Sequence, residues 1–269
     1  MYNIIESMDI DICKNKIAGF LKTYCNNNYE QFAAFDFMQL KNDDIYGCSN
    51  RTFDCDDSNL IKYIFVVLYS KIIPNLSFDT IGSDKIYRGD TINTFNTVFG
   101  KRLSKCHFAG IDKFSSDKEF LQKIENFYHL YHTLGNFLLL PNNKYCNKTI
   151  NQYRGTNSWH DFFDLFLIEL KKCLLKDDGK DDFLSNLILQ NNEYFSKINY
   201  VEFIKINFLK EYDTDELLYS PHYYHWKFGD KSKDYSEQYI DFANKYIDEA
   251  TKLINHRSKM MIEKLMSKS

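Results

Sequence analysis

The chain has 269 residues, of which 17% are aromatic and 26% charged, and its formal net charge is −3. This aromatic content excludes a disordered protein, and the slight acidity argues against a protein that coats duplex DNA without excluding a local phosphate site. Only 10 Gly and 3 Pro are present, too few for the many turns of an all-β sandwich. We therefore predict a mainly α protein: a single globular multi-helix domain over residues 1–269 with at most a small central β element.

Apolar residues recur at helical spacing along most of the chain. This spacing predicts helices over the following ranges: 9–25, 28–41, 157–175, 182–194, 197–211 and 235–266. Two further helices are marked by their N-terminal caps. One begins after Asp57 or Ser58 and runs to Ile73, and the other begins at Ser116, three residues before Glu119. The last range carries a continuous apolar stripe and a mostly basic end, which suits the negative end of a helix dipole.

Residues 136–141, with the sequence NFLLLP, are the best strand candidate, and a buried helical turn is the alternative. Turns at Gly135-Asn136 and Pro141-Asn142 are expected on either side, because only then can the leucines be buried. The interval 75–87 is predicted to be irregular.

The expected compartment is the cytoplasm. Seven cysteines are scattered without a CxxC pair, so neither a zinc ribbon nor a disulfide framework is suggested, and reduced thiols are expected. The N-terminal residues lack the basic and apolar regions of a signal peptide. The longest apolar stretch is interrupted by lysines and is too short to span a bilayer, so no membrane association is expected.

A short sequence echo suggests a phosphate site. YRGDTINTF at 87–95 and YRGTNSW at 153–159 each place Arg-Gly before small polar residues and a predicted helix. Unpaired N–H groups at a helix N-terminus, a glycine and an arginine fork suit an anionic oxygen. The predicted phosphate-binding residues are Arg88, Asp90, Thr91, Gly135, Asn136, Gly155 and Thr156. The alternative is that the small polar residues only cap helices while the arginines pair with carboxylates.

A metal site is a second candidate. Glu125, His129 and His132 lie on one face of a predicted helix, and such a set can bind zinc, manganese or iron. His222 and His225 repeat the three-residue offset. The alternative is that these histidines are hydrogen-bonded within an aromatic-rich layer. The cofactor is left open, with a divalent metal as the candidate.

Two Arg-to-His spacings are similar to those of HEPN-type ribonucleases: Arg102 with His107, and Arg154 with His160. In such a site the arginine stabilises phosphate charge and the histidine acts as general acid or base. The predicted catalytic residues are Arg154 with His132 or His160.

Three blocks in this order, GDTINTFNTVFG, YHTLGNFLLLPN and NQYRGTNSWHDFFDLFL, resemble an uncharacterised family of bacterial proteins. This resemblance covers roughly residues 85–170 and implies no activity. A more distant similarity is to the HNH-type nuclease domain of modification-dependent restriction systems, in which a Gly-Asn-Leu-x-Leu-Leu strand precedes an Asn-containing helix. Residues 135–140 match that strand and Asn147 or Asn151 the helix, whereas Thr91 stands where the catalytic histidine is expected.

These patterns favour a phosphodiester- or nucleotide-directed, nuclease-like protein with a role in phage defence, whose partner is a nucleic acid or nucleotide. The competing hypothesis is a non-catalytic binding protein. It would engage a protein partner through the Arg-Gly turns or the long C-terminal helix. In a third interpretation all of these residues belong to the core.

Overall fold

The computed structural model of the chain describes residues 2–48, 55–73, 75–82, 86–92, 117–156, 162–214 and 237–267. Within these ranges the chain forms ten α-helices and one two-stranded antiparallel sheet. The prediction of a mainly α fold with a small β element is confirmed.

The helices are, in chain order, α1 (Tyr2–Tyr24), α2 (Tyr29–Ala33), α3 (Asn59–Tyr69), α4 (Lys118–Tyr131), α5 (Ile150–Thr156), α6 (Phe163–Leu175), α7 (Asp182–Gln190), α8 (Asn192–Phe195), α9 (Tyr200–Ile206) and α10 (Glu237–Met266). The strands are β1 (Ile86–Asp90) and β2 (Phe137–Pro141). Short 3-10 turns include Phe37–Leu40, Cys55–Asp57 and Leu134–Asn136.

The N-terminal ends of the helices follow from local capping. The Ser58 hydroxyl accepts from the Ile61 N–H at 3.4 Å and starts α3, as predicted. Helix α4 is capped by Asp117, whose carboxylate accepts from the Phe120 N–H at 2.9 Å. Ser116, the predicted cap, lies outside the described residues.

The predicted helix over 28–41 is wrong as one element. The chain forms α2, breaks, and continues as the 3-10 turn Phe37–Leu40. The break occurs because the Asp36 carboxylate accepts from the Met38 N–H at 2.8 Å and starts a new turn. A side chain that competes in this way for backbone donors interrupts a helix.

The two strands pair antiparallel, with Ile86 opposite Pro141 and Asp90 opposite Phe137. Strand β2 is buried along its whole length, as predicted for the leucine run. The interval 75–87 was predicted to be irregular, but its last two residues belong to β1. The strand was not predicted because the short Tyr-Arg-Gly-Asp run lacks the alternation of apolar and polar residues that marks a strand.

Helix α10 packs on the centre of the fold, against α2, α3, α4 and the 3-10 turn Leu134–Asn136. The described part of its predicted apolar stripe is buried, including Ile247 and Ile254. The buried apolar residues join in one cluster that runs from α1 to α10. Among the described residues, no helix combines the length and the hydropathy needed to cross a bilayer.

Candidate functional site

The strand pair ends in a buried polar junction centred on Asn136, whose side chain is fully enclosed. The amide oxygen accepts from the Thr91 hydroxyl at 2.7 Å and from the Ile92 N–H at 2.9 Å. The amide nitrogen donates to the carbonyls of Ile92 and Tyr131 at 2.9 and 3.0 Å. All the donors of this amide are therefore bonded within the protein, and the side chain continues the strand pairing beyond β1.

Gly135 seats this junction on helix α10. Its N–H donates to the Ser258 hydroxyl at 2.7 Å, and its carbonyl accepts from Arg257 at 2.6 Å. A Cβ here would overlap the carbonyl oxygen of Ile254, so the close approach requires glycine. The prediction that Gly135 and Asn136 bind phosphate is not supported, because their polar groups are buried and already bonded.

Arg154 belongs to the same junction and is fully buried. Its guanidinium donates to the carbonyls of Asp90 and Thr91 at 2.7 and 3.0 Å. Two phenylalanine rings of α6 lie 4.8 and 5.1 Å from the guanidinium carbon. An external phosphate cannot reach a group enclosed in this way. The enclosure of Arg154 argues against its predicted catalytic role and against phosphate binding by the second Arg-Gly segment, and in the structure this residue joins α5 to the end of β1.

The two Arg-Gly segments are neighbours, but their arginines do not converge. A Cβ on Gly89 would lie 3.1 Å from the side-chain oxygen of Asn151, so β1 and α5 are in close contact. The Arg88 guanidinium points instead to the carbonyl of Asp56, at 3.1 Å, and forms an ion pair with Asp57. Arg88 lies in a strand and Arg154 near the end of a helix. The helix predicted to follow Arg88 lies outside the described residues, and the next described helix after Arg154, α6, begins at Phe163.

The other predicted phosphate residues are spread around this contact. Thr91 is fully buried, with its hydroxyl on Asn136, so it offers nothing to a ligand. Asp90 contributes its carbonyl to Arg154, and Gly155 is exposed on α5. The following positions lie outside the described residues, wholly or in their side chains: Arg102, His107, Thr156, Trp159, His160, His222 and His225.

The predicted metal residues line helix α4 without forming a metal site. His129 Nδ1 is 2.7 Å from Asp36 Oδ2, and its Nε2 is 3.6 Å from Glu125 Oε1. His132 is 5% exposed, and its ring meets that of Tyr128 edge-on at 4.8 Å. In the part of the chain that the structure describes, no three His, Cys, Asp or Glu side chains are grouped to hold a metal ion. His132 thus lies within an aromatic layer, against the rings of Tyr128 and Tyr131, whereas His129 is exposed and pairs with Asp36. The burial of His132 argues against the predicted catalytic role.

Arg257 is a buried cation that sequence reasoning missed. Its Nε donates to the Asn207 carbonyl at 2.7 Å, and its Nη1 donates to the carbonyls of Gly135 and Phe137 at 2.6 and 2.7 Å. Burial lowers the pKa of this guanidinium, and the nearby Tyr69 partly opposes the shift. Because all three acceptors are backbone carbonyls, Arg257 acts as a clamp on the strand junction.

An open cavity of about 640 Å³ lies beside Arg88 of β1. Its volume is within the range of roughly 300–1,000 Å³ that is typical of ligand sites. The walls come from the loop after the 3-10 turn Phe37–Leu40, from the first turn of α3, and from β1. Its charged lining residues are Lys41, Asp43, Asp44, Asp57, Lys62 and Arg88. We call this cavity the Arg88 pocket.

The Arg88 guanidinium is held in a fixed orientation in the pocket wall. Gly82 has a φ of +84°, and a Cβ there would lie 3.1 Å from the guanidinium carbon. This glycine therefore allows both the turn and the close approach of the arginine. With its bonds to Asp56 and Asp57, Arg88 is oriented before any ligand arrives, and its side chain keeps 11% exposure.

Asp43 is a fixed negative charge in the same pocket. The Tyr24 hydroxyl donates to one carboxylate oxygen. The backbone N–H groups of Ile45 and Tyr46 donate to the other at 2.8 and 2.7 Å. Burial alone would raise the pKa of Asp43, but these hydrogen bonds outweigh it and hold the pKa below its ordinary value. The hydrogen bond to Asp43, together with burial, raises the pKa of Tyr24 to about 12.

The pocket offers its positive charge through side chains and not through the start of a helix. At the beginning of α3, the N–H groups of Asn59 and Leu60 donate to backbone carbonyls at 3.0 and 3.1 Å. Lys62 lies with its amine 5.1 Å from the centre of the Phe78 ring. Among the described residues, neither Lys41 nor Lys62 forms an ion pair. An anion in this pocket would be bound by Lys41, Lys62 and Arg88.

The described residues thus form a mainly α-helical protein with an antiparallel strand pair in its core and a polar pocket of ligand size at its surface. Residues 54–261 match the profile of a family of unknown function, DUF6994, and the chain belongs to this family. No curated protein and no solved structure is significantly similar to it. Membership of an uncharacterised family agrees with the sequence resemblance, whereas no similarity to a nuclease is found.

Proposed function

We propose that the protein recognises a phosphate-bearing ligand, a nucleotide or a phosphodiester, in the Arg88 pocket. The observation that carries this proposal is the pre-oriented Arg88 guanidinium in the wall of a cavity of about 640 Å³ that it shares with Lys41 and Lys62. A guanidinium presents a planar set of donors to anionic oxygens, and the two ammonium groups add positive charge that can adjust to the ligand.

The ion pair between Arg88 and Asp57 is compatible with this role. A guanidinium carries more N–H donors than the bonds to Asp56 and Asp57 use. The Nε of Arg88 is buried, so a ligand phosphate would bind the remaining N–H groups of Nη1 and Nη2 while Asp57 keeps the guanidinium in place. Supporting carboxylates of this kind orient a binding residue and make its position less dependent on the ligand.

Nuclease chemistry and a role in phage defence stay predictions. The described lining of the pocket contains no histidine, and the burial of His132 does not favour proton transfer by that residue. His160 stays a prediction because it lies outside the described residues. The proposal is accordingly one of binding, with Arg88 as the residue that, among the described predicted phosphate residues, lines this pocket.

The competing hypothesis, a protein that engages a partner through its long C-terminal helix, has less support. The apolar face of α10 is packed inside the chain. A partner would have to bind the exposed polar face of the helix. Exposed charged faces are common on soluble helices and do not by themselves indicate an interface.

The test is a binding titration with inorganic phosphate, AMP, ATP and a short single-stranded RNA, monitored by calorimetry. We expect at least one of these probes to bind the wild type. The double variant Lys41→Gln/Lys62→Gln should bind it at least about tenfold more weakly, which corresponds to about 1.4 kcal/mol. The matched control is Lys144→Gln, an exposed lysine that does not line the pocket, and it should bind as the wild type does. If no probe binds, or if the double variant binds normally, the proposal is wrong.

A further inference from the structure

We infer that the ligand of the Arg88 pocket is a free nucleoside di- or triphosphate and not a nucleic-acid strand; this inference rests on the proposed function. Three properties of the pocket distinguish a single nucleotide from a nucleic-acid strand. They are the number of its basic side chains, the positions of its carboxylates, and its volume together with its amide side chains.

The positive charge of the pocket is carried by a small number of side chains. Its described lining has three basic residues, Lys41, Lys62 and Arg88. This number suits the two or three adjacent phosphates of a nucleoside di- or triphosphate, whose charges lie within a few ångströms of each other. A strand instead spreads its phosphates along the backbone and is usually followed by a basic groove of matching length.

The negative charge opposes a strand. The Asp43 carboxylate accepts hydrogen bonds from the Tyr24 hydroxyl and from two backbone N–H groups. The Asp57 carboxylate forms an ion pair with Arg88. Asp44 is exposed at the same wall. These three carboxylates lie among the cations and balance their charge, so attraction is confined to phosphates that contact Lys41, Lys62 or Arg88 directly. A strand that continued past these contacts would meet no net positive charge from the described lining. The net charge of −3 on the chain adds a weak repulsion in the same direction.

The size and the neutral polar groups suit a nucleoside. A volume of about 640 Å³ can enclose one nucleotide, since cavities of roughly 300–1,000 Å³ hold ligands of that size. The amides of Asn42 and Asn59 also line the pocket. Amide side chains can donate to and accept from the edge of a base or the hydroxyls of a ribose. The amide nitrogen of Asn59 also donates to the Ile45 carbonyl at 3.3 Å, which orients this side chain at the pocket wall.

The experiment compares four probes on the intact wild-type protein: ADP, ATP, inorganic phosphate and a 12-nucleotide single-stranded RNA. We expect ADP or ATP to bind with one site per chain and at least about tenfold more tightly than inorganic phosphate. The RNA should bind no more tightly than the nucleotides. The salt dependence of nucleotide binding should correspond to about one to three released ions, below the steep slope expected of a protein that tracks a strand.

The location is tested on the same samples by labelling with a thiol reagent and mapping the labelled peptides. Cys48 lines the pocket and is partly exposed, whereas Cys146 is exposed elsewhere. Bound ADP or ATP should protect Cys48 at least about threefold and leave Cys146 unaffected, in keeping with simple occlusion of one site. Equal labelling of Cys48 with and without nucleotide would overturn the assignment to this pocket.

The outcomes separate this inference from the proposed function. If the RNA binds much more tightly than the nucleotides with a steep salt slope, or if inorganic phosphate binds as tightly as ADP, the nucleotide inference fails. In both cases a phosphate-binding pocket remains, provided that the lysine double variant weakens the binding. If none of the four probes binds, both the inference and the proposed function fail.

Discussion

Asn136→Asp is a sensitive probe of the buried junction at the end of the strand pair. The substitution keeps the size and shape of the side chain and replaces its two N–H donors by a carboxylate oxygen. The carbonyls of Ile92 and Tyr131, now bonded at 2.9 and 3.0 Å, would lose their donor and face a negative oxygen instead. The bonds accepted from Thr91 and from the Ile92 N–H would remain.

The expected loss of stability follows from these two bonds. Leaving a buried carbonyl without its donor costs about 1–3 kcal/mol, and the side chain of Asn136 has no exposure to water that could replace it. Burial of the carboxylate adds to this cost. We therefore expect the free energy of unfolding to fall by about 3–5 kcal/mol near neutral pH, a large part of the total of about 5–15 kcal/mol that is typical of a folded protein.

The loss should depend on pH with a defined sign. Burial and the facing carbonyls disfavour the ionised form, so they raise the pKa of the new carboxyl in the folded state above its unfolded value of about 3.9. A raised folded pKa gives a relative stability that is fully present below the unfolded pKa and is lost as pH rises through the folded pKa. The variant should therefore be closer to the wild type in acid than at neutral pH.

The measurement is urea unfolding followed by circular dichroism, near neutral pH and at about pH 5. The control is Asn126→Asp, an exposed position on α4 whose side-chain oxygen only accepts a hydrogen bond, from Gln122 at 3.1 Å. The control should change stability by no more than about 0.5 kcal/mol. If Asn136→Asp is within about 1 kcal/mol of the wild type at neutral pH, the amide is not bonded as described and the reasoning is refuted.

Three further predictions concern the junction and the pocket. Gly135→Ala should lower the free energy of unfolding by at least about 2 kcal/mol, because its Cβ would overlap a carbonyl of α10. The control is Gly155→Ala, an exposed position within helix α5, which should be neutral or stabilising by up to about 1 kcal/mol. Thermal unfolding of the two variants tests this difference. Arg154→Lys should lower stability by about 2–3 kcal/mol through the loss of its fork on two carbonyls, and a selective loss of nucleotide binding at unchanged stability would restore its phosphate role. Tyr24→Phe removes a hydrogen bond that lowers the pKa of Asp43. A lowered carboxyl pKa gives stability that is present above the unfolded pKa and lost as pH falls through the folded pKa. Below about pH 4 the variant should therefore lose less stability than the wild type. Acid unfolding of the two proteins measures this difference.

The elements that could be predicted are those with a strong local pattern. Helix α10 follows from a long apolar stripe, and β2 from an uninterrupted leucine run between two turn signals. Strand β1 could not be predicted in the same way. Its five residues have little local preference, and they become a strand because residues 137–141 pair with them from about fifty positions further on. Such long-range pairing leaves no periodic signal within a short segment.

The candidate site was harder to predict because burial decides the role of a polar residue. Arginine and asparagine are mostly exposed in proteins, so Arg154 and Asn136 suggested ligand contacts, and the structure uses both for internal bonds. For Arg257 a usable signal exists: it stands three residues after Ile254 and four before Met261 and so lies on the apolar face of α10. Basic residues near a helix C-terminus are also favoured by the helix dipole, so this spacing alone does not distinguish a buried arginine from an exposed one.

The Arg88 pocket had no sequence signature beyond Arg88 itself. Its wall is assembled from residues 41–48, the start of α3, the turn at Gly82 and β1, which are separate in the chain. Each contribution is a single polar or glycine residue in an otherwise ordinary segment. They come together because the 3-10 turn Cys55–Asp57 packs against α3, against β1 and against the 3-10 turn Phe37–Leu40. No local motif encodes such a juxtaposition.

The clamp formed by Arg257 has a consequence for the order in which the chain folds. It bonds to carbonyls at Gly135 and Phe137, 122 and 120 residues earlier, and at Asn207, 50 residues earlier. Contacts across such separations carry a large loop-closure cost and form late. During synthesis from the N-terminus, these carbonyls have no guanidinium donor until α10 has been made. The strand pair should therefore gain its resistance to protease only after α10 has left the ribosome, which makes this helix the element that completes the fold.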